Sequence, residues 1–414
     1  MLHASQLIRC AGDPAAMGEA QGRAAAGALQ AVFQAFLEGP ELERTRPRWL
    51  PRGVHRRIAW QRAARLMHPE LLRDAPEQLA RMEGIARGSG VPLAWLHLGL
   101  AAELLLNQVA WVPGEDAEEL GAACERGGVG REARVAGLGA CSALGVGGAR
   151  SRVGGAIVKT FDYPEAFRVG FCARESRPAR GLASLDVTVA ALAGCHSGVN
   201  EAGLALTYNY GYGQDRGASR VPITLLAQRT LESCRSVAEA ERYLRAAPRA
   251  GGGILTLADA EGEVLVLELS PTRTAARRGE VLAATNHYLD PSLAAVDVPS
   301  HARFGPDALP WLRGLEVHAS SRARLGHLER LAAATRSFGL AELEAVARDH
   351  GPEDFGTDHT LCRHGDYYRS TCAVVLLPRE RALRVLFGQP CEQYFVEHRL
   401  GAPARARRPL PLAG

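Results

Sequence analysis

Cys141 stands where the character of the chain changes, and its position suits a nucleophile. Residues 113–140 are dominated by glycine, glutamate and arginine, show no periodicity, and end in Ala140 directly before Cys141. From Cys141 onward the pattern favours β-strands. The thiolate of cysteine is the form that attacks carbonyl carbons in acyl transfer. A buried free cysteine without chemistry is the alternative interpretation.

Two charged residues lie in the next β-rich segment, 156–162. Asp162 follows Cys141 at a separation that suits a hairpin returning beside the cysteine. Lys159 is the only lysine among 49 basic residues, and a compact cation is suited to such a position. The alternatives are a turn aspartate before Tyr163 and an exposed lysine without a role.

Composition bounds the class of protein. The 414 residues are 47% hydrophobic and 23% charged, which predicts a globular protein with ample core. The sequence has no apolar run of about 18 residues, so we expect no membrane span. Its N-terminus lacks a basic region followed by an apolar run, so we expect no secretory signal. The net charge of +4 is too small and dispersed to indicate nucleic acid. Nine scattered cysteines argue against a disulfide framework and favour a cytoplasmic location.

The elements that must position these residues change from helices to strands along the chain. Residues 1–110 read as mainly helical, and amphipathic helices are predicted at about 222–247 and 319–349. Predicted strands are the segment 156–162, the pair 185–193 and 204–210 around a turn at 198–203, and the hairpins 254–259/264–269 and 373–377/382–387. Paired hairpins with two helical layers predict an α+β fold, a four-layer α/β/β/α sandwich of two stacked antiparallel sheets.

Several segments in order resemble the penicillin acyltransferase family, the acyl-coenzyme A:6-aminopenicillanate acyltransferases and their self-cleaving hydrolase relatives of the N-terminal-nucleophile superfamily. The opening motifs are the segments 12–22 and 82–88. The core motifs are Cys141-Ser142, Phe161-Asp162, the segment 198–204, Thr285-Asn286-His287 and Cys362-Arg363-His364. The resemblance covers nearly the whole chain and implies the N-terminal-nucleophile hydrolase fold.

The resemblance implies that the chain cleaves itself before Cys141. The Cys141 thiol would attack the carbonyl of Ala140, where the family more often has glycine, and water would hydrolyse the resulting thioester. The freed α-amine of Cys141 titrates near 7.7 and can take the thiol proton. The products would be an α chain of residues 1–140, with 113–140 as the cleavage linker, and a catalytic β chain of residues 141–414. The two are expected to stay associated, and residues 402–414 read as a disordered tail.

The resemblance also assigns roles to the other polar residues. Asp162 would orient the freed amine, Arg363 would pair with Asp162, and Asn286 would donate its side-chain amide to the oxyanion. Asn209 matches a second polar donor in the hydrolase relatives. Lys159 matches an arginine near the nucleophile, where a positive charge lowers the pKa of the thiol.

The substrate pocket is predicted from neighbouring small and aromatic residues. Its candidate lining residues are Phe161, Tyr163, Tyr208, Gly252 and Cys362. A zinc site built from the group His359, Cys362, His364 and Cys372 is also conceivable. It lacks a second paired cluster at ordinary spacing, so we predict neither metal nor cofactor.

The sequence therefore predicts a self-activated cysteine amidohydrolase or acyltransferase. Its substrate would be a small N-acyl amide or peptide-like metabolite, or an acyl thioester as donor, and its partners would include neither nucleic acid nor membrane. One alternative is an uncleaved papain-like hydrolase in which a histidine activates Cys141. Another is an inactive binding or scaffold protein of the same fold.

Overall fold

A computed structural model describes residues 2–106, 111–112, 140–306, 308–352 and 354–401. The helices are α1 (Pro14–Glu38), α2 (Pro40–Arg44), α3 (Arg52–Asp74), α4 (Pro76–Ser89), α5 (Leu93–Leu106), α6 (Ile223–Ser233), α7 (Val237–Ala246), α8 (Ala319–Ala334) and α9 (Leu340–Arg348). The predicted tail 402–414 and, except for Ala140, the predicted linker 113–140 lie outside the described residues.

Most strands follow residue 140. They are β1 (Leu7–Gly12), β2 (Trp111–Val112), β3 (Ala140–Val146), β4 (Ala156–Tyr163), β5 (Phe171–Pro178), β6 (Ser184–Val189), β7 (Ser197–Asn200), β8 (Leu204–Gly211), β9 (Gly252–Asp259), β10 (Val264–Leu269), β11 (Thr274–Arg278), β12 (Val281–Ala284), β13 (Arg303–Phe304), β14 (Arg369–Leu377), β15 (Ala382–Phe387) and β16 (Val396–Arg399).

Two large sheets form the centre of the fold. The larger has the order β1-β5-β6-β7-β8-β9-β10-β11, and the smaller has the order β12-β3-β4-β14-β15-β16. Strands β3 and β4 of the smaller sheet face β8 and β9 of the larger one. Helices α1, α6 and α7 cover the outer face of the larger sheet, and α8 and α9 cover that of the smaller. The predicted four-layer α/β/β/α sandwich is confirmed.

The near-continuous apolar character of the central strands follows from this layering. Strands β3, β4 and β8 are buried at every position, because a sheet covered on both faces has no solvent side. The alternation expected of half-exposed strands is therefore weak in the sequence. Polar side chains on these strands, such as Lys159, Asp162 and Asn209, are enclosed as well, and each must find its partners inside the protein.

The N-terminal segment contributes a strand as well as helices. β1 pairs with β5 in parallel, from Leu7 opposite Ala173 to Gly12 opposite Pro178. Residues 1–110 were expected to be mainly helical, and the larger sheet was expected to be antiparallel throughout. Neither expectation included the pairing of β1 with β5. The two strands are far apart in the sequence and parallel, so no short turn between them marks the pair.

Glycines let α1 and α4 pack with their backbones in contact. A Cβ on Gly18 would lie 1.9 Å from the carbonyl oxygen of Arg81, and one on Gly84 would lie 2.1 Å from that of Ala15. Gly22 and Gly88, one turn further on, are equally confined. Gly18 and Gly22 of the first opening motif and Gly84 and Gly88 of the second therefore have a packing function.

The other predicted elements differ mainly at their boundaries. The helical stretches 222–247 and 319–349 are each divided in two, into α6 and α7 and into α8 and α9. The predicted turn at 198–203 begins inside β7, and the chain turns only after Asn200. In the described part of the chain, no helix is long and apolar enough to cross a membrane.

The glycine contact predicts a selective loss of stability. Gly84→Ala should lower the free energy of unfolding by about 1–3 kcal/mol, because the methyl group forces the two helices apart. Gly27→Ala is the matched control: this exposed glycine of α1 has no atom within 4 Å of its Cβ position, so alanine should add about 0.5–1 kcal/mol. Urea unfolding followed by circular dichroism measures both, and equal effects would contradict the contact.

Candidate active site

The register of three strands brings the candidate residues together. Cys141 on β3 lies opposite Phe161 on β4, and Ala140 lies opposite Asp162. On the other side of β4, Asp162 lies opposite Ser370 of β14. Asn209 comes from β8 in the facing sheet, and Asn286 follows the end of β12. The expected hairpin return from Cys141 to Asp162 is therefore present.

The Cys141 thiol is buried beside Lys159. Each of the two side chains affects the pKa of the other, and both residues are 1% exposed. Burial raises the pKa of the Cys141 thiol, which Lys159 opposes, and burial lowers the pKa of Lys159. Water is excluded from both groups, so burial disfavours the charged form of each.

Lys159 has two further contacts that fix its position. Its Nζ donates to the carbonyl oxygen of Tyr208 and lies 3.9 Å from the ring centroid of Phe161. Both contacts orient the amino group within the space between the two sheets. Lys159 is therefore a buried neighbour of Cys141, and the alternative of an exposed lysine does not hold.

Arg324 is the residue of the site that sequence reasoning missed. Its Nη1 donates to the Cys141 carbonyl oxygen at 2.6 Å and to Ser142 Oγ at 2.8 Å. Its Nη2 donates to Asn286 Oδ1 at 3.0 Å. The side chain extends from α8, is 1% exposed and lies 3.9 Å from Asp162 Oδ2. One guanidinium thus lies against the Cys141 backbone, the Asn286 side chain and the Asp162 carboxyl group.

A sequence signal for Arg324 existed. The buried residues of α8 are Ser321, Arg324, Leu325 and Leu328, which recur at helical spacing. An arginine on the apolar stripe of an amphipathic helix is unusual and indicates an internal partner. Ser321 on the same stripe accepts from the backbone N–H of Asn286 at 2.8 Å.

Asn286 contacts Cys141 through its side-chain oxygen. Its Oδ1 accepts from the backbone N–H of Cys141 at 3.0 Å, and its Nδ2 donates to the carbonyl of Tyr210 at 2.9 Å. The side chain was expected to act as an amide donor to an oxyanion. In this arrangement one of its two N–H groups is committed to Tyr210, and its oxygen has the role of holding Cys141.

Asn209 is turned towards the backbone at the end of β12. Its Nδ2 lies 3.1 Å from the carbonyl oxygen of Ala284, 3.2 Å from that of Thr285 and 3.5 Å from that of Cys141. These acceptors occupy both of its N–H groups. Asn209 therefore ties the segment before Asn286 to the facing sheet.

Asp162 has a different arginine partner from the one expected. Its Oδ1 accepts from Ser370 Oγ at 2.8 Å, and its Oδ2 has no hydrogen-bond partner among the described residues. Burial raises the pKa of Asp162, and Arg324 and Arg363 partly oppose this. The expected pairing with Arg363 is wrong, because Arg363 forms its salt bridge with Asp358 at 2.9 Å. Arg324 is the closer cation.

An apolar cavity of about 100 Å³ lies beside the site, between the N-terminal helices and the larger sheet. Tyr163 and Tyr210 line it on the side of Cys141, and their hydroxyls are 3.1 Å apart. Phe33 and Phe36 of α1 and Ala102 of α5 line the opposite wall. The cavity is thus built from both sides of the predicted cleavage position.

Of the five predicted pocket residues, only Tyr163 lines this cavity. Phe161 and Tyr208 are packed in the core against the ring of His196. The space beside Gly252 is filled by Tyr288, whose Oη would lie 2.2 Å from a Cβ there. Cys362 faces His364 in the loop before β14, so these four residues do not line this cavity.

Comparisons with known proteins point to one family. The model of the family described as acyl-coenzyme A:6-aminopenicillanic acid acyl-transferase matches residues 150–390, which is more than half of the chain. No curated protein sequence matches the chain.

Solved structures show only distant likeness. An N-acylethanolamine-hydrolyzing acid amidase ortholog from Caenorhabditis elegans is 13% identical, with a TM-score of 0.37, covering 58% of this chain and 93% of that one. A mutant of conjugated bile acid hydrolase from Clostridium perfringens is 13% identical, with a TM-score of 0.39, covering 59% and 89%. Penicillin V acylase from Agrobacterium tumefaciens is 16% identical, with a TM-score of 0.33, covering 60% and 74%. None of these carries an argument about activity.

The position of Arg324 predicts a pH-dependent loss of stability in Arg324→Gln. Burial raises the pKa of Asp162 in the folded state above its value in the unfolded chain, which is about 3.9. As the pH rises above that value, the Asp162 carboxyl group of the unfolded chain loses its proton first. The free energy of unfolding therefore falls as the pH rises. Removing Arg324 raises the folded-state pKa further. The variant should therefore lose about 3–5 kcal/mol at pH 7 and clearly less at pH 4.

Urea unfolding at the two pH values, in a Cys141→Ala background, measures this loss. Arg322→Gln is the control, because Arg322 lies on the same helix, is exposed, and contacts Glu316 at the surface. It should cost less than about 1 kcal/mol at either pH. A loss for Arg324→Gln that is the same at pH 4 and pH 7 would contradict its role beside Asp162.

Proposed function

Since the chain belongs to the acyl-coenzyme A:6-aminopenicillanic acid acyl-transferase family, we propose that it activates itself by cleavage before Cys141 and transfers acyl groups through that cysteine. The family indicates an enzyme of acyl transfer or amide hydrolysis that acts on acylated small molecules. The self-cleavage, the cysteine nucleophile and the acyl class are the proposal. Its products would be an α chain of residues 1–140 and a β chain of residues 141–414.

The observation that carries the proposal is the way Cys141 is held. Its backbone N–H is bound by Asn286 Oδ1 and its carbonyl oxygen by Arg324 Nη1, while its thiol contacts Lys159. The backbone of an ordinary buried cysteine in a strand would need only hydrogen bonds to the backbones of the neighbouring strands. Side chains from α8 and from the loop after β12 hold this one residue, which supports a reacting position.

The cleavage step follows from these neighbours. The Cys141 sulfur attacks the Ala140 carbonyl carbon, the thiol proton passes to the Cys141 nitrogen as the C–N bond breaks, and a thioester remains on Ala140. Water then hydrolyses the thioester, leaving a carboxylate on Ala140 and a free amine and thiol on Cys141. Before cleavage the α-amine does not exist, so another group must relay the proton.

Lys159 is the group that the geometry offers for this relay. It lies beside the thiol, and burial lowers its pKa, which favours the neutral form that can accept a proton. This role differs from the expected one of a fixed positive charge that lowers the pKa of the thiol. The two roles are separable, because arginine supplies the charge but cannot act as a base at neutral pH.

After cleavage the base changes. The freed amine of Cys141 would stay within reach of Asn286 Oδ1, which already binds that nitrogen at 3.0 Å. Asp162 supports the site through Ser370 and Arg324. The second N–H of Asn286 Nδ2 is the proposed oxyanion donor, since only one is used by Tyr210.

The apolar cavity supports an apolar acyl group as the part of the substrate that is recognised. Its wall is almost free of polar surface, and two of its lining residues, Tyr163 and Tyr210, lie near Cys141. Apolar walls bind a hydrocarbon chain by removing it from water. We therefore propose an N-acyl amide with an apolar acyl chain as the substrate class, with water or an amine as acceptor.

The two alternatives have less support. A papain-like enzyme needs a histidine at the thiol, but among the described residues none is hydrogen bonded to Cys141. The ring of nearby His196 is buried against Phe161, and burial lowers its pKa to about 3. An inactive scaffold would not need a buried lysine at its cysteine, which costs stability without a compensating role.

Denaturing gel electrophoresis and intact mass test the cleavage. The purified protein should give two fragments, residues 1–140 and residues 141–414, and Cys141→Ala should give one uncut chain. Cys172→Ala, which removes another buried cysteine of the β-rich region, is the control and should still be cut. A full-length wild-type chain that hydrolyses amides would refute the mechanism, and an uncut, inactive one would favour the scaffold.

The same preparations test the proposed activity. The cleaved protein should release the amine from N-acyl amides with apolar acyl chains, and release should be slower for acyl chains that carry a charge. Cys141→Ala should be inactive on both. A cleaved protein that prefers charged acyl chains would contradict the assignment of the apolar cavity.

Substitutions of Lys159 separate a role as a base from a role as a positive charge. If only the charge matters, Lys159→Arg should be cleaved normally and Lys159→Met should not. If Lys159 relays the proton, both variants should be cleaved slowly. Lys159→Arg and Lys159→Met should both slow cleavage by about 10²–10⁴-fold, the range for losing a general base. Timed gels after rapid purification measure the rate, and near-ultraviolet circular dichroism checks that the variants are folded. A folded Lys159→Arg protein that is cut as fast as wild type would show that Lys159 acts through its charge.

A further inference from the structure

A second cluster of reactive side chains lies away from Cys141, where three separate segments meet. His350 follows α9, Cys362 and His364 lie in the loop before β14, and Cys391 follows β15. One ligand atom from each residue lies within 4.8 Å of the others. We call this set the His350–Cys391 cluster. It plays no part in the proposed acyl transfer.

Two separations in the cluster match those around a tetrahedral ion. His364 Nε2 lies 3.5 Å from Cys362 Sγ and 3.4 Å from Cys391 Sγ. For Zn²⁺ with bonds of about 2.3 Å to sulfur and 2.0–2.1 Å to nitrogen, a tetrahedral angle places the two ligand atoms about 3.6 Å apart. A neutral imidazole has one N–H, which cannot donate well to two thiols at once. A shared ion explains both distances.

The surroundings of the histidines favour the same interpretation. His364 Nδ1 is hydrogen bonded to the Gln389 side-chain amide at 3.0 Å, which leaves Nε2 for the cluster. His350 Nε2 is buried and has no hydrogen-bond partner among the described residues. A side-chain carbonyl or amide on the far ring nitrogen is the usual support of a metal-bound histidine. With a metal on Nε2, the Gln389 amide would present its oxygen to Nδ1–H.

The backbone of the loop is shaped around the His364 ring. A Cβ on Gly356 would lie 1.9 Å from His364 Cδ2, so only glycine leaves room for the ring. The Cys362 N–H donates to the carbonyl of Asp349 at 3.0 Å, and the His364 N–H donates to that of Thr357 at 3.0 Å. These contacts hold Cys362 and His364 in place before any ion binds.

We propose that His350, Cys362, His364 and Cys391 bind one Zn²⁺ ion in a closed tetrahedral site. Two thiolates and two imidazoles are the donor set that zinc prefers in structural sites, and four protein ligands leave no position for a substrate. The site departs from our expectation of no metal. It also differs from the group considered from the sequence, because His359 is exposed and Cys372 lies on β14 near Lys159.

The ion would act on the active site through the loop that it anchors. The backbone N–H of Arg363, between two of the ligands, donates to Ser370 Oγ at 2.9 Å. Ser370 Oγ in turn donates to Asp162 Oδ1 at 2.8 Å. The proposed zinc is thus a structural element that keeps the support of Asp162 in position, and it takes no part in the chemistry at Cys141.

Metal analysis of the full-length protein, purified after growth with added zinc, tests the proposal. We expect one zinc per chain in the wild type and in the controls Cys234→Ser and His301→Ala, which remove a cysteine and a histidine far from the cluster. Cys391→Ser and His350→Ala should retain about tenfold less zinc or lower. Gln389→Ala, which leaves all four ligands intact, should weaken zinc affinity by about 10–100-fold.

Cobalt provides a readout that does not depend on the variants folding. Wild-type protein stripped with a chelator and reloaded with Co²⁺ alone should show the intense visible bands of a tetrahedral site and a thiolate charge-transfer band. Chelation should also lower the melting temperature, and added Zn²⁺ should restore it. Zinc-free wild-type protein without a cobalt spectrum would overturn the proposal. So would a Cys362–Cys391 disulfide found by mass spectrometry in protein kept from air.

Discussion

The buried guanidinium of Arg324 is the interaction on which the candidate site depends. It contacts the Cys141 carbonyl, Ser142 and Asn286, and it is the closest cation to the Asp162 carboxylate. A buried charge of this kind is tolerated only when acceptors surround it. Because those acceptors come from the β3–β4 hairpin and from the loop after β12, Arg324 on α8 fixes the relative positions of segments that are far apart along the chain.

The layered fold explains how such a site can exist. Two sheets packed face to face leave a dry interior in which hydrogen bonds and charges act strongly. Polar residues on inner strands, such as Lys159 and Asn209, are therefore held by defined partners. The same layering places the site beside a cavity whose far wall belongs to α1 and α5. The helices that precede the strands are thus part of the site's surroundings.

Much of the fold could be predicted from the sequence, and less of the site. Hairpins such as β9–β10 are encoded by a short turn between two apolar runs, and Cys141 and Asp162 are joined by a local strand return. Arg324 could not be paired with Asp162 in this way, because helix α8 reaches the site only through tertiary packing. The same limit applies to His350 and Cys391, which flank Cys362 and His364 in space but belong to separate segments of the sequence. The motifs point to single residues, whereas the partners of those residues depend on how distant segments fold together.

The parallel pairing of β1 with β5 has a consequence for the behaviour of a cleaved chain in dilute solution. Strand β1 of the N-terminal segment is hydrogen bonded within the larger sheet along its whole length, and α1 covers the core beneath it. Two fragments produced by cleavage of one folded chain would already be bound to each other. They would not first have to associate as separate molecules in solution. To come apart they would have to remove a strand and expose an apolar interior. Such a pair should persist at concentrations where an ordinary heterodimer dissociates, and pieces made separately should reassemble poorly.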